Sequence, residues 1–164
     1  MRQVTTMLMC AAAVVLGTAG VLAQTAPSFA GKWTLVPDAT AQGGGRGGGF
    51  GGLGTAATIV QDDKTLTITR ATQAGEITSV YNLDGSDSKN TMNFNGNAFE
   101  QTSKVTRDGN ALLITTTGDF GGNVFQTSMK LALDASGTLT LESTRPDFQG
   151  GGAPIVTKAI YKKN

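Results

Sequence analysis

Histidine is absent from the 164-residue sequence, and cysteine occurs only once, as Cys10 near the start of the chain. Without histidine there is no Ser-His-Asp or Cys-His catalytic pair and no imidazole ligand for a metal ion. We expect Cys10 to be removed with a leader segment, so no disulfide can stabilise the remaining chain. We expect no metal and no cofactor, and an enzyme built from this composition would depend on carboxylates, lysine, tyrosine or a cofactor.

The chain also lacks an excess of charge of either sign. It contains 13 lysines and arginines against 12 aspartates and glutamates, which gives a formal net charge of +1. Such a chain has no strong electrostatic field to attract nucleic acid or an anionic membrane surface. We therefore expect no nucleic-acid partner.

The longest apolar run lies at the amino terminus. It follows Arg2 and ends near Val21-Leu22-Ala23, a pattern that is typical of a secretory signal peptide cleaved after Ala23. The run is short for a membrane span, and no basic cluster follows it. We expect residues 1–23 to form a helical signal peptide and residues 24–164 to form one exported domain, periplasmic or extracellular, without a membrane span.

After the leader, strand signals alternate with turn signals. In "KTLTITR", Leu66 and Ile68 share one face and the threonines share the other, as an antiparallel strand with one solvated side requires. No window after residue 23 has a convincing helical period. The pattern predicts ten strands, at about 30–36, 55–61, 64–71, 76–83, 90–95, 98–107, 110–117, 123–134, 137–145 and 154–163.

Nearly all connections between these strands are short and carry Asn-Gly, Asp-Gly or other turn residues. Short connections favour an up-and-down meander, and closing a long meander into a barrel removes its two exposed edges. We therefore predict an all-β antiparallel barrel of about eight to ten strands. A β-sandwich is the alternative, although it usually needs long crossover connections.

Glycine is abundant, and nine of the 23 glycines fall in "AQGGGRGGGFGGLGTAA", residues 41–57. The stretch has no Lys-Ser/Thr pair opening a helix, as a phosphate loop needs, and only one arginine for RNA. We predict a flexible glycine-rich loop at 41–54, over one end of the barrel. A strict meander brings Phe50, Phe120 and Phe148 to that end, where they either close over an apolar ligand or plug the barrel.

Polar side chains at the same end are further ligand-binding candidates. Arg70 and Arg145 each continue the inward, apolar face of a predicted strand. An inward arginine near an opening binds an anion or forms an ion pair, and Glu76 is the expected partner of Arg70. Tyr81 also lies on an inward face, where its hydroxyl would need a hydrogen-bond partner if buried.

The segment "FAGKWTLVPDAT", residues 29–40, resembles the Gly-x-Trp opening of lipocalin-like (calycin) barrels. The resemblance implies that Trp33 packs across the closed base of the barrel. It also implies that a basic residue of a late strand covers the indole, for which the candidates are Lys158, Lys162 and Lys163. In that family the barrel transports or sequesters small hydrophobic molecules.

These observations favour an exported β-barrel binding module for a small apolar or amphipathic molecule. One alternative is a structural or protein-interaction module of the cell envelope, which would use the glycine-rich loops or an outer sheet face. The other is an isomerase or cyclase using Tyr81, Glu76 and an arginine. A binding module requires space inside the barrel, whereas an interaction module tolerates a filled interior.

Overall fold

A computed structural model describes residues 27–37, 52–72, 75–94, 97–147 and 151–164. The expected signal peptide and most of the glycine-rich loop lie outside these ranges. All regular secondary structure in the described ranges is β-structure. The ten strands are β1 Gly31–Leu35, β2 Ala56–Gln61, β3 Thr65–Thr72, β4 Gly75–Asn82, β5 Ser88–Phe94, β6 Asn97–Asp108, β7 Ala111–Phe120, β8 Asn123–Leu133, β9 Leu139–Arg145 and β10 Ile155–Lys163.

The strands form a single antiparallel sheet in the order β4-β3-β2-β1-β10-β9-β8-β7-β6-β5. Strand β1 pairs with β2 on one side and with β10 on the other, and every other pair of neighbours is consecutive in the chain. The sheet is therefore an up-and-down meander curved into a nearly closed barrel. This confirms the all-β fold, and the sequence-based strand bounds agree with the observed ones to within three residues.

Because consecutive strands are antiparallel, successive connections alternate between the two ends of the barrel. We call one end the turn end, since its connections are the short segments 62–64, 83–87, 109–110 and 134–138. The opposite end, which we call the loop end, has the connections 36–55, 73–74, 95–96, 121–122 and 146–154. The connections richest in glycine thus join strands at the loop end, as the meander predicts.

Aspartates organise connections at the turn end, among them 62–64 and 134–138. The carboxylate of Asp62 accepts hydrogen bonds from the backbone N–H groups of Lys64 and Thr65. Asp134 accepts in the same way from the N–H groups of Ser136 and Thr138. These contacts satisfy backbone donors within the turns, which is why aspartate is favoured there.

The hydrophobic core fills the barrel from the turn end. Alternate residues of each strand point inward, and on most strands the inward positions nearest that end are large and apolar. Their burial removes the apolar surface that makes the barrel stable without a disulfide. Fully buried side chains of this layer are Phe29, Trp33, Leu66, Leu112, Leu131 and Leu139.

Trp33 belongs to this core and is 2% exposed. Its Nε1 donates a hydrogen bond of 2.9 Å to the carbonyl of Phe29, and it stands opposite Lys163 in the β1–β10 ladder. At Gly31, φ is +148°, a backbone conformation that residues with a side chain rarely adopt, so glycine is favoured there. Of the three candidate lysines, Lys163 is the one that lies beside the indole. The resemblance to lipocalin-like barrels stays a prediction.

The barrel is completed differently where β4 meets β5. Within the described strands no backbone ladder joins this pair, and side chains of β5 bond to the backbone of β4 instead. The amide of Asn90 donates to the carbonyl of Val80 (2.9 Å) and accepts from its N–H (2.8 Å). Ser88 Oγ accepts from the N–H of Asn82 (2.7 Å). We call this contact the β4–β5 seam.

Candidate functional site

On several strands the inward side chains change from apolar to polar, from the turn end towards the loop end. The change is clearest on β6, β7 and β8, which are neighbours in the sheet. It produces an interior with an apolar base and a partly polar upper half. The inward series, read towards the loop end, are Val105, Ser103, Gln101 on β6, Leu112, Ile114, Thr116 on β7, and Leu131, Met129, Thr127 on β8.

A cavity lies where the apolar and polar halves meet. The centre of a water molecule can occupy about 40 Å³ of it. One water needs roughly 10–15 Å³ of such space, so the cavity has room for about three waters or a molecule of comparable size. Its polar lining consists of Arg70, Ser79, Tyr81, Gln101, Thr116 and Thr127.

The remaining side chains around the cavity are apolar. Ile68 and Ile114 project from β3 and β7, and the flexible thioethers of Met92 and Met129 lie on β5 and β8. Leu53, from the connection between β1 and β2, completes this set and is 1% exposed. The cavity therefore offers hydrogen-bonding groups and an apolar surface to the same small molecule.

Arg70 is the only charged residue among those described around the cavity. Its Nη1 donates a hydrogen bond to the carbonyl of Gly52. Burial lowers the pKa of the guanidinium, and the neighbouring hydroxyls of Tyr81 and Tyr161 act in the opposite direction. Arginine keeps its charge throughout the physiological range, so a desolvated cation lies inside the barrel.

The expected ion pair between Arg70 and Glu76 does not form. In the β3–β4 ladder Arg70 stands opposite Ile77, and Glu76 stands opposite Ala71 and is exposed. An offset of one residue moves a side chain to the other face of a sheet, which is why that prediction is wrong. The three ion pairs between described residues are all solvent-exposed: Lys89–Glu100, Lys104–Asp87 and Lys130–Asp108.

Two tyrosines lie close to Arg70. Burial raises the pKa of Tyr81, while a hydrogen bond with Ser79 and the charge of Arg70 partly oppose that shift. Burial also raises the pKa of Tyr161 to about 12. The Tyr161 hydroxyl donates a hydrogen bond of 2.9 Å to the carbonyl of Gly54. Both phenols are therefore neutral hydrogen-bonding groups at physiological pH.

The last residues of the connection between β1 and β2 enter the barrel. Arg70 holds the carbonyl of Gly52, Tyr161 holds that of Gly54, and Leu53 between them is buried. We call residues 52–54 the inserted segment. Sequence analysis assigned it to the glycine-rich loop, although a leucine between two glycines was a signal that the chain re-enters the core there.

The predicted ligand-binding residues have different outcomes. Arg70 and Tyr81 both line the cavity. Arg145 is half-buried at the end of β9, opposite Ile155, and is not part of the lining. Phe50 and Phe148 lie outside the described residues. Phe120 ends β7 but its side chain is likewise outside the description, so the cluster of loop phenylalanines stays a prediction.

A different aromatic pair is present on the strands. The rings of Phe99 and Phe125 meet edge to face, with centres 6.2 Å apart and planes at 75°. They belong to β6 and β8, and Gly118 on the intervening β7 lies beneath the Phe125 ring, where a Cβ would be only 2.6 Å from a ring carbon. The pair could not be read from sequence because it depends on this glycine leaving space between two strands that are not neighbours.

The described part of the chain contains no group of three or more potential metal ligands. No described carboxylate lines the cavity. The suggested combination of Tyr81, Glu76 and an arginine is not assembled, since Glu76 lies on the outer face.

The protein is thus a ten-stranded, nearly closed antiparallel β-barrel with a small, partly polar cavity. Comparison with known proteins adds no family to this description. No protein-family model matches the chain, and no curated protein matches it in sequence. Among the residues that the structure covers, none belongs to a helix with the length and hydropathy for crossing a bilayer.

Proposed function

We propose that residues 24–164 form an exported β-barrel that binds a small amphipathic molecule in its interior. The observation that carries this proposal is the cavity between the polar and apolar halves of the barrel. A molecule with one polar end and one short apolar part matches that lining better than a purely apolar molecule, because the latter would leave Arg70, Tyr81 and Gln101 without polar partners from the ligand.

The size of the cavity limits the ligand. Space for about three waters accommodates about three or four non-hydrogen atoms without movement of the lining. Met92 and Met129 are unbranched and can change rotamer, so a somewhat longer apolar part is accommodated by moving these side chains. We therefore propose that the barrel binds short molecules, and that Met92 and Met129 change rotamer to fit them.

A role as an interaction module is supported by a separate observation on the outer surface. Val60 and Val80 are 61% and 42% exposed and flank Thr67 in adjacent ladders, so they form an uncharged row across β2, β3 and β4. Exposed β-branched rows of this kind suit contact with another protein. Such a module needs no cavity ligand, and this difference separates the two candidates experimentally.

Native mass spectrometry of protein purified from its own host tests the binding proposal. We expect the wild-type protein to carry a small molecule, and Thr127→Leu to lose it because the leucine extends into the cavity. The matched control is Gln126→Leu, whose side chain is exposed on the same strand and should leave the bound molecule in place. A wild-type protein that is free of small molecules in repeated preparations contradicts the proposal.

A further inference from the structure

The guanidinium of Arg70 is held in place and still has hydrogen-bonding capacity. It projects from β3 on the same face as Ile68 and lines the cavity, and its Nη1 is bonded to the carbonyl of Gly52. A guanidinium has five N–H donors, and a single carbonyl uses one of them. No other hydrogen bond joins this guanidinium to a side chain or carbonyl of the described residues, which leaves donors for a second partner on the cavity side.

The charge of Arg70 has no protein counterion in the described structure. None of the described ion pairs includes it, and no described carboxylate lines the cavity. A cation removed from water without an anion costs free energy, and an anion that reaches it forms a strong, charge-assisted hydrogen bond. Folding has already removed the Arg70 guanidinium from water. An acidic ligand can therefore bind it without a further cost of desolvating the arginine.

The neighbouring groups limit the kind of acid. Tyr81, Ser79 and Gln101 line the same cavity and can donate hydrogen bonds to an anion without adding charge. Since Arg70 is the single cation among the described residues around the cavity, it balances one negative charge but not the second charge of a phosphate monoester. Ile68, Ile114 and Met129 offer an apolar surface to the rest of the molecule.

We propose that the ligand is a short-chain monocarboxylic acid whose carboxylate pairs with Arg70 and whose aliphatic part contacts Ile68, Ile114 and Met129. This inference rests on the binding function proposed above and narrows its ligand to one chemical class. It also assigns Arg70 two partners, the Gly52 carbonyl on one side and the ligand carboxylate on the other.

Butyrate and butanamide form a matched pair of probes, because they have the same number of non-hydrogen atoms and differ in charge. We expect butyrate to bind the wild-type protein at least tenfold more tightly at neutral pH, measured by titration of backbone amide signals in NMR. Arg70→Gln should bind the two probes equally, since glutamine retains a donor but no charge. Arg107→Gln, which removes an exposed arginine, should keep the wild-type preference for butyrate.

The outcomes separate this inference from the proposed function. If butyrate and butanamide both bind with equal affinity, the acid preference is wrong and a binding function stands. If neither probe nor any longer homologue binds, both proposals fail. If Arg70→Gln folds normally and still prefers butyrate, the assignment to Arg70 is wrong. Should Arg70→Gln not fold, the wild-type comparison of the two probes still decides the acid preference.

Discussion

The ammonium group of Lys163 lies 5.8 Å from the centre of the Trp33 ring, across the pair formed by the first strand, β1, and the last strand, β10. The contact falls within the range in which a lysine is attracted to the face of an indole. It links the buried base of the barrel to the β1–β10 closure, and Gly31 gives the lysine stem the space it needs.

Trp33→Ala should lower the free energy of unfolding by about 3–5 kcal/mol, because it removes a fully buried indole from the core. A domain of this size has a total stability of roughly 5–15 kcal/mol, so the variant should be largely unfolded or close to it. Thermal denaturation followed by circular dichroism measures the effect. As a control, Lys163→Met keeps much of the packing and should cost only about 0.5–1 kcal/mol. If Trp33→Ala melts at the same temperature as the wild type, Trp33 does not make the contribution to core stability that we expect.

Asn90→Ala should loosen the β4–β5 seam, because the Asn90 amide makes both hydrogen bonds to Val80 across it. We expect faster hydrogen exchange at the Val80 amide and a loss of about 1 kcal/mol in stability. Thr91→Ala, which shortens an exposed neighbour on the same strand, is the control and should leave the exchange unchanged. Equal protection of Val80 in the wild-type and Asn90→Ala proteins would argue against side-chain bridging.

Alkaline pH should unfold the protein through its tyrosines, of which the chain has only two. Tyr161 has a pKa of about 12 in the folded state, against about 10 in an unfolded chain, so the folded state holds the proton more tightly. The corresponding stability is complete below pH of about 10 and is lost as the pH rises towards 12. Burial shifts the pKa of Tyr81 in the same direction.

Tyrosinate absorbance measures this linkage directly, since both phenols are in the barrel interior. We expect little tyrosinate in the folded protein near pH 10 and a rise that coincides with loss of the β-sheet signal. Tyr161→Phe should make unfolding less sensitive to alkaline pH, although it loses the bond to Gly54. Titration of both tyrosines near pH 10 with the fold intact would contradict the expectation.

The two parts of the connection between β1 and β2 should respond differently to mutation. Deletion of residues 43–48, within the glycine run, should change the free energy of unfolding by less than about 1 kcal/mol, because loop closure depends weakly on loop length. Leu53→Ala should cost about 2–5 kcal/mol, because Leu53 is 1% exposed in the core. Chemical denaturation of the two variants provides the comparison, and a larger effect from the deletion would mean that the glycine run itself is structural.

Much of the fold follows from local sequence features. Strand β3 can be predicted because Leu66 and Ile68 alternate with threonines, and the turn at Asp134 because its carboxylate can bond to nearby N–H groups. The inward position of Arg70 follows from the same alternation. These features depend on residues that are close together in the chain, so one sequence suffices to predict them.

The features that were missed depend on contacts between distant strands. Asn90 looks like an ordinary polar strand residue until closure brings β5 beside β4. The pairing of Phe99 with Phe125 requires Gly118 on the strand between them. The position of Glu76 depended on the register at the start of β4, where an offset of one residue decides between interior and solvent.

The pairing of the first strand with the last has a consequence for how the protein acquires its structure. Thr34 and Asn164 contact each other at a sequence separation of 130, so β1 keeps one unpaired edge until β10 is available. Contacts of such long sequence separation slow folding, and all-β domains rich in them typically need about milliseconds to seconds. A chain that lacks β10 therefore cannot complete this barrel, and removal of residues 161–163 should leave it in an incomplete, aggregation-prone form.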